Sequence, residues 1–336
     1  MMRSLFGKSG LKHKRYLLII LLLLCGEFSF SQTKVIIDSL EVNLYRISST
    51  NQDSIDFIYV KAKPETRDIL LFMQGSLPVP LIIEDKGFSF AYSFLKSIVQ
   101  KHQMNLLVVS QPDVHNIEQK SILKDGYLKT DSNYFPSDKH RAGNNLTNQA
   151  NRYATVIRFM SEIMPEPTFY VFGHSQGSRI APVVAKEFGS IKKLVLAATN
   201  PISRSYKRIT EARIQYILGK KSFEEAQAII NKEYKYFERL HQNKLESPED
   251  VSEHSYGFPT MVEDMVVLDI PIRFIYGTHD FGTSFDADKL LLEFIRNNKS
   301  NLSLKVYEGM DHNFFSKGVM HWDLAIDDTM KWFKGD

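Results

Sequence analysis

Apolar residues along this chain fall into short, nearly unbroken runs separated by stretches where they recur at helical spacing. The runs cover residues 69–73, 106–109, 169–172, 194–197, 272–276 and 304–307. A strand that is apolar at successive positions is buried on both faces, as the strands of a parallel sheet are. Helix-spaced apolar positions occupy 90–100, 148–163, 176–188 and 322–333. Ahead of them the pattern differs. Val42 and Leu44, then Phe57 and Tyr59, alternate with polar residues on either side of the turn-like Ser49-Thr50-Asn51-Gln52-Asp53. That alternation predicts an antiparallel hairpin at a sheet edge. A hairpin followed by βα repeats predicts the α/β class, with a doubly wound, mostly parallel sheet.

One stretch breaks the alternation. Residues 201–265 hold no buried-strand run and are rich in Lys, Arg, Glu and Tyr at helical spacing. Ser222, with Glu225 three residues on, is a capping-box signature that opens a helix over 223–240. The stretch is far longer than an ordinary βα connection. It reads as a helical lid inserted over one end of the sheet. Its aromatics (Tyr206, Tyr216, Tyr234, Tyr236, Phe237) read as internal packing. Residues 112–147 are polar and predict a long surface loop.

The N-terminus follows another logic. Arg3, Lys8, Lys12, Lys14 and Arg15 precede an apolar run over 16–25, and Ser29-Phe30-Ser31 supplies a small-x-small site before Gln32. This is the pattern of a secretory signal peptide cleaved after Ser31. The run is short for a membrane span, which takes roughly 20 residues. An uncleaved anchor is one alternative and lipid attachment at Cys25 another, although Leu24 departs from the small residue expected before a lipidated cysteine. The domain division is then 1–31 leader, 32–200 and 266–336 core, and 201–265 insertion. The predicted location is exported, periplasmic or secreted, with a membrane anchor as the alternative.

Cleavage changes the charge argument. The 336 residues carry 42 basic and 39 acidic side chains. The leader removes five basic groups and Glu27, which leaves a net charge of −1. So near a balance argues against a dedicated nucleic-acid binder. Cys25 is the one cysteine, which excludes an internal disulfide framework or a cysteine-rich zinc site. No residue remains to form a stray thiol in an oxidising compartment. His115, His140, His241, His254 and His321 show no metal-ligand spacing. No metal or organic cofactor is implied.

Candidate chemistry centres on Gly173-His174-Ser175-Gln176-Gly177. An apolar strand precedes it, and a helix through Ile180, Val183 and Val184 follows. This is G-x-S-x-G in a strand–turn–helix context. Glycines on both flanks permit a turn too tight for a Cβ, which lifts the Ser175 hydroxyl above the sheet. Pro182 bends that helix. A serine needs a base, and the base needs an orienting acid. Two strand ends offer them: 272–276 runs into Gly277-Thr278-His279-Asp280, and 304–307 into Glu308-Gly309-Met310-Asp311-His312.

The order Ser175, Asp280, His312 resembles the α/β-hydrolase superfamily, over most of 60–336 outside the insertion. The resemblance implies that Ser175 is the nucleophile, Asp280 the acid and His312 the base. It places one oxyanion-hole N–H in the loop after 69–73, here Gln74-Gly75-Ser76, and assigns it to Ser76. Gln74 departs from the His-Gly often seen there. Gln176 supplies the second N–H. Competing residues carry blander roles. His174 is a packing residue, His279 points elsewhere, and Asp311 is a solvated loop acid. Asp264 and Asp288 are rival acids; Asp286 caps a helix starting near Ala287.

The expected activity is that of a secreted serine hydrolase cleaving a carboxylic ester or related acyl bond through an acyl-enzyme. The expected partner is a small-molecule acyl substrate, with no nucleic acid, and a membrane only if the leader persists or Cys25 is lipidated. Peptidase or thioesterase action with the same triad is an alternative, and a non-catalytic binding module of the same fold is another. Acyl and leaving-group identity are not encoded in these motifs.

Overall fold

A computed structural model of the chain describes residues 28–49, 52–124, 127–128, 137–258 and 260–335. The apolar run at 16–25, with Cys25, lies outside them. Among the described residues no helix is long and apolar enough to cross a membrane.

The scaffold is a nine-stranded sheet. Its strands are β1 (Phe28–Ile37), β2 (Leu40–Ser49), β3 (Gln52–Val60), β4 (Asp68–Met73), β5 (Asn105–Val109), β6 (Thr168–His174), β7 (Ile191–Ala197), β8 (Ile272–Gly277) and β9 (Leu302–Tyr307). The spatial order is β1-β2-β3-β5-β4-β6-β7-β8-β9. The first three strands and the β3–β5 pair are antiparallel. From β5 to β9 every pairing is parallel.

Successive side chains of a strand point to opposite faces, and here both faces are covered. Ile69, Leu71 and Met73 join one core with α3 (Leu146–Ile163), α4 (Gln176–Ala185) and α9 (Phe281–Arg296). Leu70 and Phe72 join the other with α1 (Leu95–Gln100) and α10 (Trp322–Lys334). This two-sided burial is why the central runs do not alternate.

Four helices occupy the chain between β7 and β8: α5 (Arg204–Ile217), α6 (Phe223–His241), α7 (Pro248–Gly257) and α8 (Met261–Val266). At the start of α6, Ser222 Oγ accepts from the Glu225 N–H at 3.1 Å, and the Glu225 carboxylate accepts from the Ser222 N–H at 2.7 Å. Ala212, Ala226, Ile230, Leu240, Tyr256, Met261 and Met265 are the buried apolar residues of these helices, while Tyr206, Tyr216, Tyr234 and Phe237 are exposed. Two of them still pack within the insertion, Tyr216 edge-on against Phe223 at 5.8 Å and Phe237 against Phe258 at 4.9 Å.

Other boundaries also differ from the sequence pattern. The helix predicted over 90–100 is confined to α1, because Phe88–Phe90 pairs with Ile82–Glu84 across a turn at Gly87. The surface loop at 112–147 contains α2 (Asp138–Gly143). Residues 28–31 form the first rungs of β1, from Phe28↔Ser49 to Ser31↔Arg46. Phe28-Ser29-Phe30-Ser31 alternates apolar and small polar, so one tetrapeptide satisfies a strand and a cleavage site alike. Finally, α9 begins at Phe281, so Asp286 lies inside the helix and not at its cap. Packing against α5 starts the helix earlier than its Gly282-Thr283 opening would by propensity.

Asp286 is fully buried, and no side-chain donor meets either of its carboxylate oxygens; the Ile202 amide alone faces it. Burial pushes its carboxyl up to about 7, against a smaller downward pull from the Ile202 amide, Arg179, Lys207 and Lys289. Two expectations follow for stability. The folded state holds a proton on Asp286 where the unfolded chain has released it. This contribution is present at low pH and is lost as pH rises towards 7. Asp286→Asn should therefore gain about 2 kcal/mol over the wild type between pH 5 and pH 8 in denaturant melts; parallel pH profiles would exclude the buried acid. A chain beginning at Gln32 keeps six of the β1 residues and loses the edge contact of Phe30 on Phe159, with centroids 5.2 Å apart. It should stay folded and lose about 1 kcal/mol relative to one beginning at Phe28.

Candidate active site

Ser175 joins β6 to α4 with φ 53° and ψ −114°. A non-glycine residue held there stores roughly 1–3 kcal/mol of strain, so its surroundings must enforce it. They do so by close approach. A Cβ on Gly177 would lie 2.0 Å from the Met73 carbonyl oxygen, and one on Gly173 would lie 2.7 Å from the Gly177 backbone. Helix α4 is thereby pressed against the end of β4. The Ser178 hydroxyl lies within bonding distance of the Gly173 and Ala197 carbonyls, at 2.6 and 3.0 Å, and ties the turn to β7.

The loops after β8 and β9 meet Ser175. His312 Nε2 lies 3.0 Å from Ser175 Oγ, and His312 Nδ1 lies 2.8 Å from Asp280 Oδ2. The order of groups is hydroxyl, imidazole, carboxylate. Nδ1–H donates to the carboxylate, which leaves Nε2 to accept from the serine. Asp280 is 3% exposed. Burial alone would raise its carboxyl, but the His312 ring and the Lys207 ammonium outweigh burial and hold it at about 2. It is a carboxylate throughout the neutral range.

The two loops are bonded to one another. The Gly309 N–H donates to Thr278 Oγ1 at 2.8 Å, and the His279 N–H to the Met310 carbonyl at 2.8 Å. Asp311 is not merely solvated: its Oδ1 accepts from the Asn313 and Phe315 amides at 2.8 and 2.9 Å and shapes the turn that presents His312. His174 also does more than pack. Its Nε2 donates to the His312 carbonyl at 3.1 Å. Burial, then repulsion from His312, pushes its ring down to about 3. It is a neutral donor and no rival base. His279 lies tilted against Phe281, Asp264 pairs with Lys186 and Asp288 is exposed, so none of them joins Ser175.

The segment after β4 passes beside the serine: a Cβ on Gly75 would lie 3.5 Å from Ser175 Cβ. A chain of amides fixes that segment. Gln149 Nε2 donates to Gln111 Oε1, and Gln111 Nε2 donates to the Gly75 carbonyl. In a trans peptide the N–H lies opposite the carbonyl, so holding the Gly75 oxygen sets the direction of the Ser76 N–H. His140, buried, bonds the Pro112 carbonyl at 2.9 Å and faces the Ser76 carbonyl. Gln74, fully buried, donates to the Val109 carbonyl at 3.0 Å and accepts from Tyr92 at 3.3 Å. Gln176 is the first residue of α4, where a backbone N–H has no acceptor within the helix. Its side chain donates to Tyr256 of α7 and to Asn144.

Sequence patterns do not single out Gln111, Gln149, His140 or Lys207. Each comes from a segment without a motif, and only the fold brings it to the serine. A cavity of about 820 Å³ lies to one side, lined by Arg46, Asp56, His115, Lys139 and Arg152 among others, and it includes neither Ser175 nor His312. Among the described residues no cluster of three or more His, Cys, Asp or Glu could hold a metal ion.

No family model and no curated protein matches the sequence. Solved structures do resemble the fold. Acetyl xylan esterase 1 from Thermoanaerobacterium sp. JW/SL YS485 superposes with a TM-score of 0.50 at 14% identity, over 91% of this chain and 88% of that one. The acylaminoacyl peptidase of Pyrococcus horikoshii superposes in two structures with TM-scores of 0.54 and 0.55 at 10% identity, over 92% of this chain. This chain spans 42% of that peptidase. A mostly parallel sheet, a serine turn after β6 and an acid and histidine after β8 and β9 complete the comparison: the chain has the α/β-hydrolase fold.

Proposed function

We propose that the chain is a serine hydrolase that cleaves a carboxylic ester or related acyl bond. The observation that carries this reading is the hydrogen-bonded line Ser175–His312–Asp280, built on a strained turn. Ser175 Oγ attacks the acyl carbon while His312 Nε2 takes its proton. Asp280 holds the imidazole in the tautomer that leaves Nε2 free, and it stabilises the imidazolium. The backbone N–H groups of Ser76 and Gln176 receive the negative charge that develops on the carbonyl oxygen. The imidazolium returns its proton to the leaving group, and water, activated by the same histidine, releases the acyl group. We read the insertion at 201–265 as a lid that sets which acyl groups enter; the bonds between its Lys207 and Asp280 and between its Tyr256 and Gln176 support this reading.

A peptidase reading uses the same steps with an amine leaving group, and the likeness to an acylaminoacyl peptidase supports keeping it. The two separate on a panel of p-nitrophenyl esters of rising acyl length run beside peptide substrates. Ser175→Ala should remain folded, lose labelling by a fluorophosphonate probe and lose turnover by a factor on the order of 10⁴–10⁶. Near-normal turnover in that variant would sink the serine mechanism.

We also propose export. The basic start, the apolar run at 16–25 and the small-x-small site at 29–31 support it. N-terminal sequencing of the exported protein should begin at Gln32, as glutamine or its cyclised form. Retention of Met1, or a lipid on Cys25, would replace cleavage by anchoring.

A further inference from the structure

Asp280 has two oxygens, and only one serves His312. The other, Oδ1, accepts from Lys207 Nζ at 2.8 Å. Lys207 belongs to α5, the first helix of the insertion, and not to the core. Its ammonium also lies 3.4 Å from His312 Nδ1. The side chain is largely buried, at 18% exposure, over a carboxylate that is more deeply buried still. The first turn of α9 is cut away to admit it. A Cβ at position 282 would fall 2.3 Å from Lys207 Cγ, so glycine there opens the slot through which the lysine stem passes.

We propose that Lys207 is a positioning residue for the Ser175–His312–Asp280 line, and that through it docking of the insertion sets the charge around His312. The proposal rests on the hydrolase reading for its catalytic consequence, though not for its electrostatic one. With bonds to both oxygens, the plane of the Asp280 carboxylate is fixed, and with it the direction of the His312 ring. A cation 3.4 Å from the ring opposes the carboxylate's pull on a second proton. If the insertion swings away, the cation leaves with it.

Other charges face the same place. Glu211, one turn along α5, lies 3.8 Å from Lys207, and burial raises its carboxyl. His174, from β6, is held neutral beside His312. Arg208 acts on Glu211, and Asp286 acts from α9 at longer range. Lys207 is the cation bonded directly to the acid.

The test compares the wild type with Lys207→Met, Lys207→Gln, Lys207→Arg and, as an exposed control at the tip of the insertion, Lys220→Met. Two readouts are taken from pH 5 to 9: kcat/KM on p-nitrophenyl acetate, and the NMR titration of the His312 ring. Loss of the charge in the Met and Gln variants should move the acid limb, and the ring titration with it, to higher pH by about one unit. kcat should fall about tenfold while KM changes less. Arginine should restore the limb, and Lys220→Met should leave both readouts in place. A uniform loss of rate with an unmoved limb would make Lys207 structural and overturn the proposal, as would failure of both neutral variants to fold. If the wild type cleaves no acyl substrate, the hydrolase reading fails; the ring titration, which needs no turnover, still decides whether Lys207 sets the charge at His312.

Discussion

The contact on which the site depends is the approach of Gly177 to the Met73 carbonyl, closer than any Cβ would allow. It seats α4 directly on the end of β4. The chain can reach that position only through a turn that puts Ser175 at φ 53°. Strain in one residue is maintained by packing around it. The Ser178 hydroxyl and the buried apolar faces of α4 supply that packing, so the core and the serine turn are a single construction.

Around this turn the protein uses two kinds of fastening. Neutral hydrogen bonds set backbone directions. The Gln149–Gln111–Gly75 relay fixes one peptide plane, and Gln74 and His140 brace the same segment. His174 holds the carbonyl of His312. Such bonds contribute roughly 1 kcal/mol each to stability, but a buried amide left without a partner costs more. Their value here is geometric, since each removes a rotation from a segment beside Ser175.

Charge is used more sparingly. Asp280 and Asp286 lie six residues apart at the start of α9, and both are buried. Asp280 has His312 and Lys207 as partners and stays ionised. Asp286 has only the Ile202 amide facing it, no charged group bonded to it, and is driven towards the acid form. Burial is common to both, so the difference lies in the donors that meet each oxygen. His312 first, and then a lysine carried by the insertion, separate the two outcomes: both bond Asp280, whereas Lys207 acts on Asp286 only from a distance.

The sequence by itself determined the central parallel strands and placed Ser175, Asp280 and His312 at their ends. Doubly buried strands must be apolar at successive positions, and a G-x-S-x-G turn must have glycine where no Cβ fits; both constraints act within a few residues, so both are written locally. The capping box at Ser222 and Glu225 was legible for the same reason. The start of α9 was not, because packing on Lys207 overrides weak helix propensity at Gly282 and Thr283. Nor was β1, where Phe28-Ser29-Phe30-Ser31 satisfies two readings at once. The amide relay through Gln111 and Gln149, the bond from His174 to His312 and the ion pair from Lys207 to Asp280 were decided only by the tertiary structure. Their partners lie 38, 138 and 73 residues apart in the chain. A lone polar residue carries no local pattern to mark it; it acquires a role when the sheet brings its distant partner within hydrogen-bond reach.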